Sequence, residues 1–275
     1  MDRERIHETV REGYTRVAER GCGCGCSCGT DPGEISSKIG YTTEEMGAVP
    51  EGANLGLGCG NPVALAGLSP GETVLDLGSG AGFDAFLAAR AVGESGRVIG
   101  VDMTPAMLAK ARENARAGGY ENVEFRLGEI EHLPVADQSV DVVISNCVIN
   151  LSPEKGQVFR EAFRVLRPDG RFIVSDIVLT GPLPDHLRAS AAAWAGCLAG
   201  AVSRERYLDL IRAAGFVDME IIDESPFPLS CMANDPTAQA VFGDSAMTDD
   251  EVRAAEAAIA SLKVRAVRPE KIGGD

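Results

Sequence analysis

The chain has 275 residues, of which 45% are hydrophobic, and its formal net charge is -15. This length and apolar content suit one substantial α/β domain with smaller additions, or two small domains, and argue against disorder throughout. The acidic balance repels phosphate backbones and no basic face offsets it, so we expect no nucleic-acid partner.

The sequence also predicts no membrane segment and no secretory signal. The apolar stretch from Ala189 to Val202 is too short and too rich in Ala and Gly for a span of ~20 apolar residues. The N-terminus, MDRERIHETVREGY, has no charged start followed by an apolar segment. We therefore expect a cytoplasmic protein, a monomer by default, whose eight cysteines are reduced thiols. Such thiols favour metal or metalloid binding, or redox chemistry, over structural disulfides.

The first 70 residues are predicted to form a helix and a lead-in to the main domain. Ile6, Val10, Tyr14 and Val17 repeat at helical spacing, which predicts an amphipathic helix over residues 4–19. The segment GCGCGCSCGTDPG that follows is predicted to be a loop, because alternating Gly and Cys offer neither helix nor strand a packing face. Residues 34–70 are rich in Gly and Pro and show no repeating element.

From residue 73 the chain alternates short apolar runs with helical segments. This pattern predicts βα repeats around a parallel, doubly wound sheet. The predicted strands are TVLDLG, RVIGVDM, NVEFRLG, SVDVVISNC, Arg171 to Leu179 and Val217 to Asp223. The predicted helices are residues 83–92, 105–117, Glu154 to Leu166 and 204–214.

The C-terminal part breaks the pattern at three prolines between residues 225 and 250. Residues 251–262 are predicted to be helical, and Lys263 to Val267 to form a closing edge strand. We divide the chain into an N-terminal helix and Cys-rich lead-in, a main domain with a cap segment, and a C-terminal extension. Their predicted bounds are 1–70, 71–224 with the cap at 184–203, and 225–275.

The segment VLDLGSGAGFDAF, residues 74–86, has the form of a cofactor-binding strand, glycine turn and helix. Its glycines, Gly78, Gly80 and Gly82, allow the backbone to approach a ligand closely. The spacing differs from the G-x-G-x-x-G that holds a pyrophosphate, and the acidic Asp76 precedes it. An acid on the strand and N–H groups in the turn suit the ammonium and carboxylate of S-adenosylmethionine.

A second acid supports this cofactor. Asp102 ends the next predicted strand, 26 residues beyond Asp76, where an acid accepts hydrogen bonds from both ribose hydroxyls. The alternative, a different nucleotide-binding α/β protein, is weakened by the pair of acids. The sequence therefore predicts a site for S-adenosylmethionine.

Residues 70–224 resemble the class I methyltransferase superfamily. The resemblance implies a seven-stranded sheet with one antiparallel edge strand. It also implies that adenine lies beside GEIEHLP, the loop after the third strand, next to Ile130 and Glu131 or, alternatively, Glu129. The predicted cofactor residues are Asp76, Gly78, Ser79, Gly80, Gly82, Asp102, Met103, Ile130, Glu131 and Asn146.

Three cysteines are candidates for the acceptor site. Cys147 ends the fourth predicted strand, at the sheet edge where ligands bind, although a single reduced Cys is more often a buried small hydrophobe. Cys197 lies in the Ala-rich segment, where helix packing alone would explain it, and Cys59 lies between glycines. Three converging thiols would form a trigonal site for a soft ion. The three histidines lack ligand spacing, which argues against an imidazole-rich zinc site.

The motifs GLGCGNP, VLDLGSGAGFD, SNCVINL and GCLAGA, in this order, resemble the arsenite methyltransferase family across most of residues 5–224. The resemblance implies that Cys147 and Cys197 are the arsenic-binding pair and Cys59 the third thiol. It also implies an N-terminal cysteine that recycles oxidised thiols. The chain departs from the family there, because Cys22, Cys24, Cys26 and Cys28 alternate with Gly or Ser.

The chemistry of As(III) agrees with this resemblance. Thiolates bind As(III) and leave it a lone pair that can attack the S-methyl group without a general base, so the enzyme mainly aligns and shields the reactants. If arsenic is oxidised, cysteines could return electrons by forming a disulfide, which thioredoxin or glutathione would reduce. The alternatives are methylation of a small organic carbon or oxygen acceptor and thiol-based metalloid sequestration. The N-terminal cysteines could equally form a metal-scavenging tail, and Cys231 is expected to have no catalytic role.

Overall fold

The computed structural model describes residues 2–19, 31–182, 198, 200–232 and 249–270. Its helices are α1 (Arg3–Glu19), α2 (Pro32–Lys38), α3 (Thr43–Gly47), α4 (Pro62–Leu65), α5 (Phe83–Val92), α6 (Pro105–Gly118), α7 (Lys155–Val165), α8 (Arg204–Ala213) and α9 (Asp249–Ala257). Short 3-10 helices span Ile149–Leu151 and Leu229–Met232. Among these described residues no helix combines the length and the hydropathy needed to cross a membrane.

The described strands form one seven-stranded sheet in the order β3-β2-β1-β4-β5-β7-β6. They are β1 (Thr73–Leu77), β2 (Arg97–Asp102), β3 (Val123–Leu127), β4 (Val140–Asn146), β5 (Leu166–Leu179), β6 (Val217–Pro226) and β7 (Ile259–Val267). The pairs among β1 to β5 are parallel, whereas β7 is antiparallel to both β5 and β6. The doubly wound α/β fold with one antiparallel strand is therefore confirmed.

The antiparallel strand lies one position further inside the sheet than predicted. Lys263 to Val267 belong to β7, which pairs on both sides, so β6 rather than β7 forms the outer edge. The predicted helix over residues 251–262 is wrong at its end, because α9 stops at Ala257 and β7 begins at Ile259. A strand covered on both faces reads as a continuous apolar run, which periodicity cannot separate from a helix. The predicted C-terminal extension thus supplies a paired strand of the sheet.

Two smaller differences concern segments for which the sequence predicts a loop or a turn. The lead-in contains three short helices, α2 to α4, each opened by an Asp, Thr or Asn side chain that accepts a hydrogen bond from the first turn. The RPDG segment, predicted as a turn, lies inside β5, where Asp169 has a φ of 60° and the register with β4 shifts. Most of the predicted cap at 184–203 lies outside the described residues.

Alternating side chains of the strands build a core on each face of the sheet. On one face Val74 of β1 packs in a cluster with Phe86 of α5 and Leu108 of α6. On the other face Leu75 packs in a cluster with Phe159 of α7. The period of two along β1 therefore serves both helical layers and fixes which carboxyl-end residues point to each side.

Phe159 is predicted to be a principal support of the second layer. Its side chain is fully buried, and its ring centroid lies 5.8 Å from Phe172 and 5.4 Å from Tyr207. We expect Phe159→Ala to lower the free energy of unfolding by about 3–5 kcal/mol, the usual cost of an aromatic-sized cavity. The free energy of unfolding of each protein is measured by urea denaturation. The control Leu127→Ala, at a side chain 56% exposed, should change stability little, and equal losses in the two variants would contradict the layer assignment.

Candidate active site

A deep crevice lies at the carboxyl ends of β1, β2 and β4, the edge at which open α/β sheets bind ligands. It has a volume of about 1220 Å³, including its mouth. The N-terminal helix α1 covers part of it through His7, Val10 and Tyr14. The crevice therefore joins the predicted cofactor motif, the lead-in and the end of β4 in one place.

The glycine turn of the predicted cofactor motif adopts a backbone that requires glycine. The φ angles of Gly78, Gly80 and Gly82 are 68°, 52° and 98°. A Cβ on Gly78 would lie 2.4 Å from a methyl carbon of Val148, whereas a Cβ on Gly80 would meet nothing within 4 Å. The turn thus packs tightly at its start and opens onto the crevice at Gly80.

The amides of this turn are engaged within the chain. Gly78 and Ser79 both donate to the carbonyl of Val101, at 2.8 and 3.0 Å, and Gly82 donates to Ser79 at 2.8 Å. The Gly80 amide donates to a carboxylate oxygen of Asp102 at 2.9 Å. These four N–H groups shape the turn, so the expectation that they receive the cofactor's carboxylate is not supported by their geometry.

Asp76 is the carboxylate best suited to a cationic ligand. It is 3% exposed, and its Oδ2 has no hydrogen-bond partner among the described residues; the same holds for the Ser79 hydroxyl beside it. Burial raises the pKa of Asp76 well above its usual range, and the charges of Asp84 and Asp102 raise it further. The other oxygen of the carboxylate accepts from the Ala85 backbone, but a buried Oδ2 without a partner is costly, so an ammonium or sulfonium ligand in the crevice would fit it.

A second buried acid, Asp84, faces the same crevice and was missed in the sequence. Its Oδ1 accepts a hydrogen bond of 2.6 Å from the Tyr41 hydroxyl, and its Oδ2 accepts one of 3.0 Å from the Asn146 amide. Burial raises the pKa of Asp84 to about 6. Asp84 lies in the first turn of α5, where the helix dipole alone accounts for an acid. The position of Asp84 in the sequence therefore gave no signal that it lines the crevice.

Asp102 ends β2 and also lines the crevice. In addition to the Gly80 bond, its Oδ1 accepts a hydrogen bond of 2.8 Å from the Thr104 amide. Burial raises its pKa. Two donors leave part of the acceptor capacity of a carboxylate for ligand hydroxyls. Met103, the next residue, is partly buried and lines the crevice beside it.

The loop after β3 contributes the far wall of the crevice. Ile130 and Glu131 line it, while Glu129 lies outside the lining. Glu131 is 2% exposed and accepts hydrogen bonds from the Ser152 hydroxyl and from Nε2 of His7, the latter at 3.0 Å. His7 was not singled out in the sequence, because a lone His on a helix gives no positional signal.

Two cysteine thiols meet just after the end of β4, beside Ser175 and Asp176 of β5. Cys147 has a φ of 58°, a backbone region that non-glycine residues rarely adopt, and its amide donates to the Ser175 carbonyl at 2.8 Å. The Cys59 amide donates to Oδ1 of Asn146 at 3.0 Å. The thiols of Cys59 and Cys147 and a carboxylate oxygen of Asp176 all lie within 4.8 Å of one another.

Besides Cys147, the structure describes the surroundings of Cys59 and Cys231 but not those of the remaining cysteines predicted for the site. Cys59 is only 2% exposed and packs among apolar side chains. Cys231 is buried, lines the crevice, and has its pKa raised by burial. The remaining predicted site cysteines, Cys197, Cys22, Cys24, Cys26 and Cys28, lie outside the described residues.

Asp176 was also missed in the sequence. It is fully buried, and it accepts hydrogen bonds from the Asn150 amide at 2.8 Å and the Tyr207 hydroxyl at 3.0 Å. Burial raises its pKa to about 7. Within the sequence RFIVSDIVL it reads as one polar position of a strand, so only the pairing of β5 with β4 reveals that it lies beside two thiols.

Comparison with known proteins gives a consistent family. A family model described as a methyltransferase domain matches residues 68–215, more than half of the chain. An arsenite methyltransferase of Halobacterium salinarum is 52% identical over 238 residues, which cover 82% of this chain and 61% of that protein. One of Aquipseudomonas alcaligenes is 37% identical over 232 residues, covering 82% and 66%. The chain thus spans less than two thirds of the length of these relatives.

A solved structure extends the comparison to three dimensions. The crystal structure of an arsenic(III) S-adenosylmethionine methyltransferase from Chlamydomonas reinhardtii matches with a TM-score of 0.62 and 34% sequence identity. The match covers 88% of this chain and 75% of that one. Together with the sheet order and the glycine turn, these matches show that the chain belongs to the arsenite methyltransferase family of S-adenosylmethionine-dependent methyltransferases.

Proposed function

We propose that this protein transfers the methyl group of S-adenosylmethionine to trivalent arsenic held by the thiolates of Cys59, Cys147 and Cys197. One observation carries the proposal: the Cys59 and Cys147 thiols approach within 4.8 Å of each other beside the crevice that the glycine turn opens onto. Soft thiolate donors select a thiophilic ion. The arsenite methyltransferases at 52% and 37% identity support the same substrate.

The crevice fits the cofactor through complementary charge. The unpartnered oxygen of Asp76, with Asp84 beside it, would hold the ammonium of the methionine part. Asp102 would accept the ribose hydroxyls, and Ile130 and Glu131 would face adenine. When bound, S-adenosylmethionine supplies an electrophilic methyl group on a sulfonium. Met103, Ser79 and Asn146 are proposed to complete this site.

When arsenite binds, each thiol gives up its proton, but no acid is released to the solvent. Each thiol that replaces a hydroxyl of As(OH)₃ forms an arsenic–sulfur bond, and its proton leaves with that hydroxyl as water. The buried position of Cys59 and the partly buried position of Cys147 exclude bulk water from the bound arsenic. Orientation by fixed thiolates supplies the alignment that this kind of reaction needs.

In the methyl transfer the lone pair of arsenic forms the new arsenic–carbon bond. The carbon–sulfur bond breaks, and its electron pair stays on the sulfur of S-adenosylhomocysteine. Arsenic passes from the trivalent to the pentavalent state. Cys147, whose strained backbone turns it into the crevice, is proposed to hold arsenic in line with the methyl group.

A return to trivalent arsenic requires two electrons, which two thiolates supply when they join in a disulfide. We propose that one or more of Cys22, Cys24, Cys26 and Cys28 take part in this step. A thiol reductant, thioredoxin or glutathione, then restores the thiols in a reducing compartment.

The activity test uses arsenite, labelled cofactor and a thiol reductant. Cys147→Ser is expected to lower the rate of arsenic methylation by on the order of 10²-fold, because a displaced reactant loses its alignment. Label in methylated arsenic, separated by chromatography, is the measurement. Leu127→Ala, at an exposed side chain outside the crevice lining, is the control and should methylate like the unsubstituted protein. Label that enters an organic acceptor and never arsenic would refute the proposed substrate.

Cofactor binding should depend on pH through Asp84. Because the pKa of Asp84 is raised to about 6, its charge develops as the pH rises from 5 to 7, and a cationic ligand binds the charged form better. We expect the affinity for S-adenosylmethionine to increase over this range, by at most about tenfold per pH unit. The affinity at each pH is measured by isothermal titration calorimetry. Asp84→Asn should bind more weakly at pH 7 with a flatter profile; an unchanged slope would sink this assignment.

The redox step predicts a need for external electrons. Without a thiol reductant we expect methylation to stop after about one turnover per disulfide formed. The amount of methylated arsenic is measured in samples quenched at successive times, at several enzyme concentrations, and should level off in proportion to the enzyme. Addition of thioredoxin or glutathione should restart methylation. Many turnovers without reductant would contradict the proposed recycling.

A further inference from the structure

A carboxylate that the proposed arsenic site does not use lies beside the thiols of Cys59 and Cys147. Asp176 places a carboxylate oxygen within 4.8 Å of both the Cys59 and the Cys147 thiols. Trivalent arsenic in the proposed site takes three thiolates and leaves a lone pair. A carboxylate is a hard ligand, of little use to arsenic but acceptable to a borderline-soft cation such as Zn²⁺, which binds sulfur and oxygen together.

Asp176 is held in place by a set of donors. Asn150 and the Ile177 amide donate to its Oδ1 at 2.8 and 2.9 Å, and Tyr207 donates to its Oδ2 at 3.0 Å. These donors reach both oxygens of the carboxylate and fix its plane. The carboxylate is thus oriented like a metal ligand whose second oxygen is fixed by hydrogen bonds.

The spacing of the three ligand atoms is close to a tetrahedral site. Zinc bonds of ~2.3 Å to sulfur and ~2.0–2.2 Å to oxygen separate tetrahedral ligands by roughly 3.5–3.8 Å. The upper limit of 4.8 Å here requires a contraction of about 1.3 Å at most, which side-chain rotation can supply. Cys147 borders the crevice, so a fourth position would open onto it.

Charge favours a divalent cation in the same place. Two thiolates and a carboxylate would leave three negative charges in a buried cluster, which is costly without compensation. Lys155 is buried, donates to the Ser152 carbonyl at 2.9 Å, and interacts electrostatically with Asp176. One lysine balances a single charge, and a divalent cation would balance the remaining two.

We propose that Cys59, Cys147 and Asp176 form a binding site for a divalent cation of the Zn²⁺ class. Its ligand set, two sulfurs and one oxygen, differs from the three thiolates proposed for arsenic. Because the two sites share Cys59 and Cys147, the cation excludes arsenite and inhibits methylation competitively. This inhibition rests on the proposed function, whereas the cation site itself does not.

The binding test uses Cd²⁺ as a spectroscopic substitute for Zn²⁺. The protein is the full chain with the substitutions Cys22→Ser, Cys24→Ser, Cys26→Ser and Cys28→Ser, so that the N-terminal cysteines do not contribute. It is reduced and freed of reductant beforehand. We expect one equivalent of Cd²⁺ to produce a thiolate-to-cadmium absorption band, and Zn²⁺ to displace it. In this background Asp176→Asn should weaken Cd²⁺ binding by about tenfold or more, since a direct ligand is lost.

Asp169→Asn is the matched control, because Asp169 lies in the bulge of β5 at a φ of 60°, which Asn tolerates. It should bind Cd²⁺ like the background protein. Since Asp176→Asn alters a buried hydrogen-bond set, its fold is checked by urea unfolding. Cys59→Ser is a second variant that must also weaken binding and must lower the band intensity. Equal Cd²⁺ affinity in folded Asp176→Asn and Asp169→Asn, or an unchanged band in Cys59→Ser, overturns the site.

Inhibition is measured separately from binding. With arsenite as substrate, Zn²⁺ should raise the apparent KM for arsenite without lowering kcat, and Asp176→Asn should need about tenfold more Zn²⁺ for the same effect. Zn²⁺ inhibition of equal strength in Asp176→Asn overturns the proposed competition. Loss of arsenite methylation in every form of the protein, with Cd²⁺ binding as expected, refutes the proposed function and leaves the cation site supported.

Discussion

The side-chain amide of Asn146 is the contact on which the arrangement of the crevice depends. Its Oδ1 accepts the Cys59 amide at 3.0 Å, and its Nδ2 lies 2.8 Å from the Gly60 carbonyl. The same Nδ2 lies 3.0 Å from Oδ2 of Asp84. One side chain at the end of β4 thus fixes the lead-in that carries a thiol and the helix that carries a cofactor acid.

The glycines around Cys59 follow from this contact. A Cβ on Gly58 would lie 2.8 Å from Nδ2 of Asn146, and a Cβ on Gly60 would lie 2.1 Å from the Ser175 hydroxyl. Both clashes would push the lead-in away from the sheet. The pattern Gly-Cys-Gly is therefore a packing requirement, since it lets the backbone approach closely enough for a thiol to reach the end of β5.

The sequence predicts the fold where local signals decide it. The predicted helix over residues 83–92 has the observed bounds of α5, because Gly82 and Gly93 both take positive φ angles at its ends. The placement of β7 depends on pairing with two strands distant in the chain, which periodicity does not encode. Asp84 and Asp176 were missed for a related reason: each has an ordinary local explanation, and only the tertiary fold brings Asp84 to the crevice and Asp176 beside the two thiols.

A neutral amide fits position 146 because the acids of the crevice lie on one side of it and the thiol cluster lies on the other. Asp76 and Asp84 lie on the side of β1 and α5, whereas the two thiols and Asp176 lie at the end of β4 and beside β5. Asn146 stands between them as a neutral group that donates toward Asp84 and accepts from the Cys59 amide. A carboxylate of the same shape would face Asp84 at 3.0 Å and repel it, and an apolar side chain would leave the buried donors and acceptors unsatisfied. The fold therefore separates cofactor acids from thiols with a neutral side chain that bonds to the Asp84 carboxylate and to the backbone amide of Cys59.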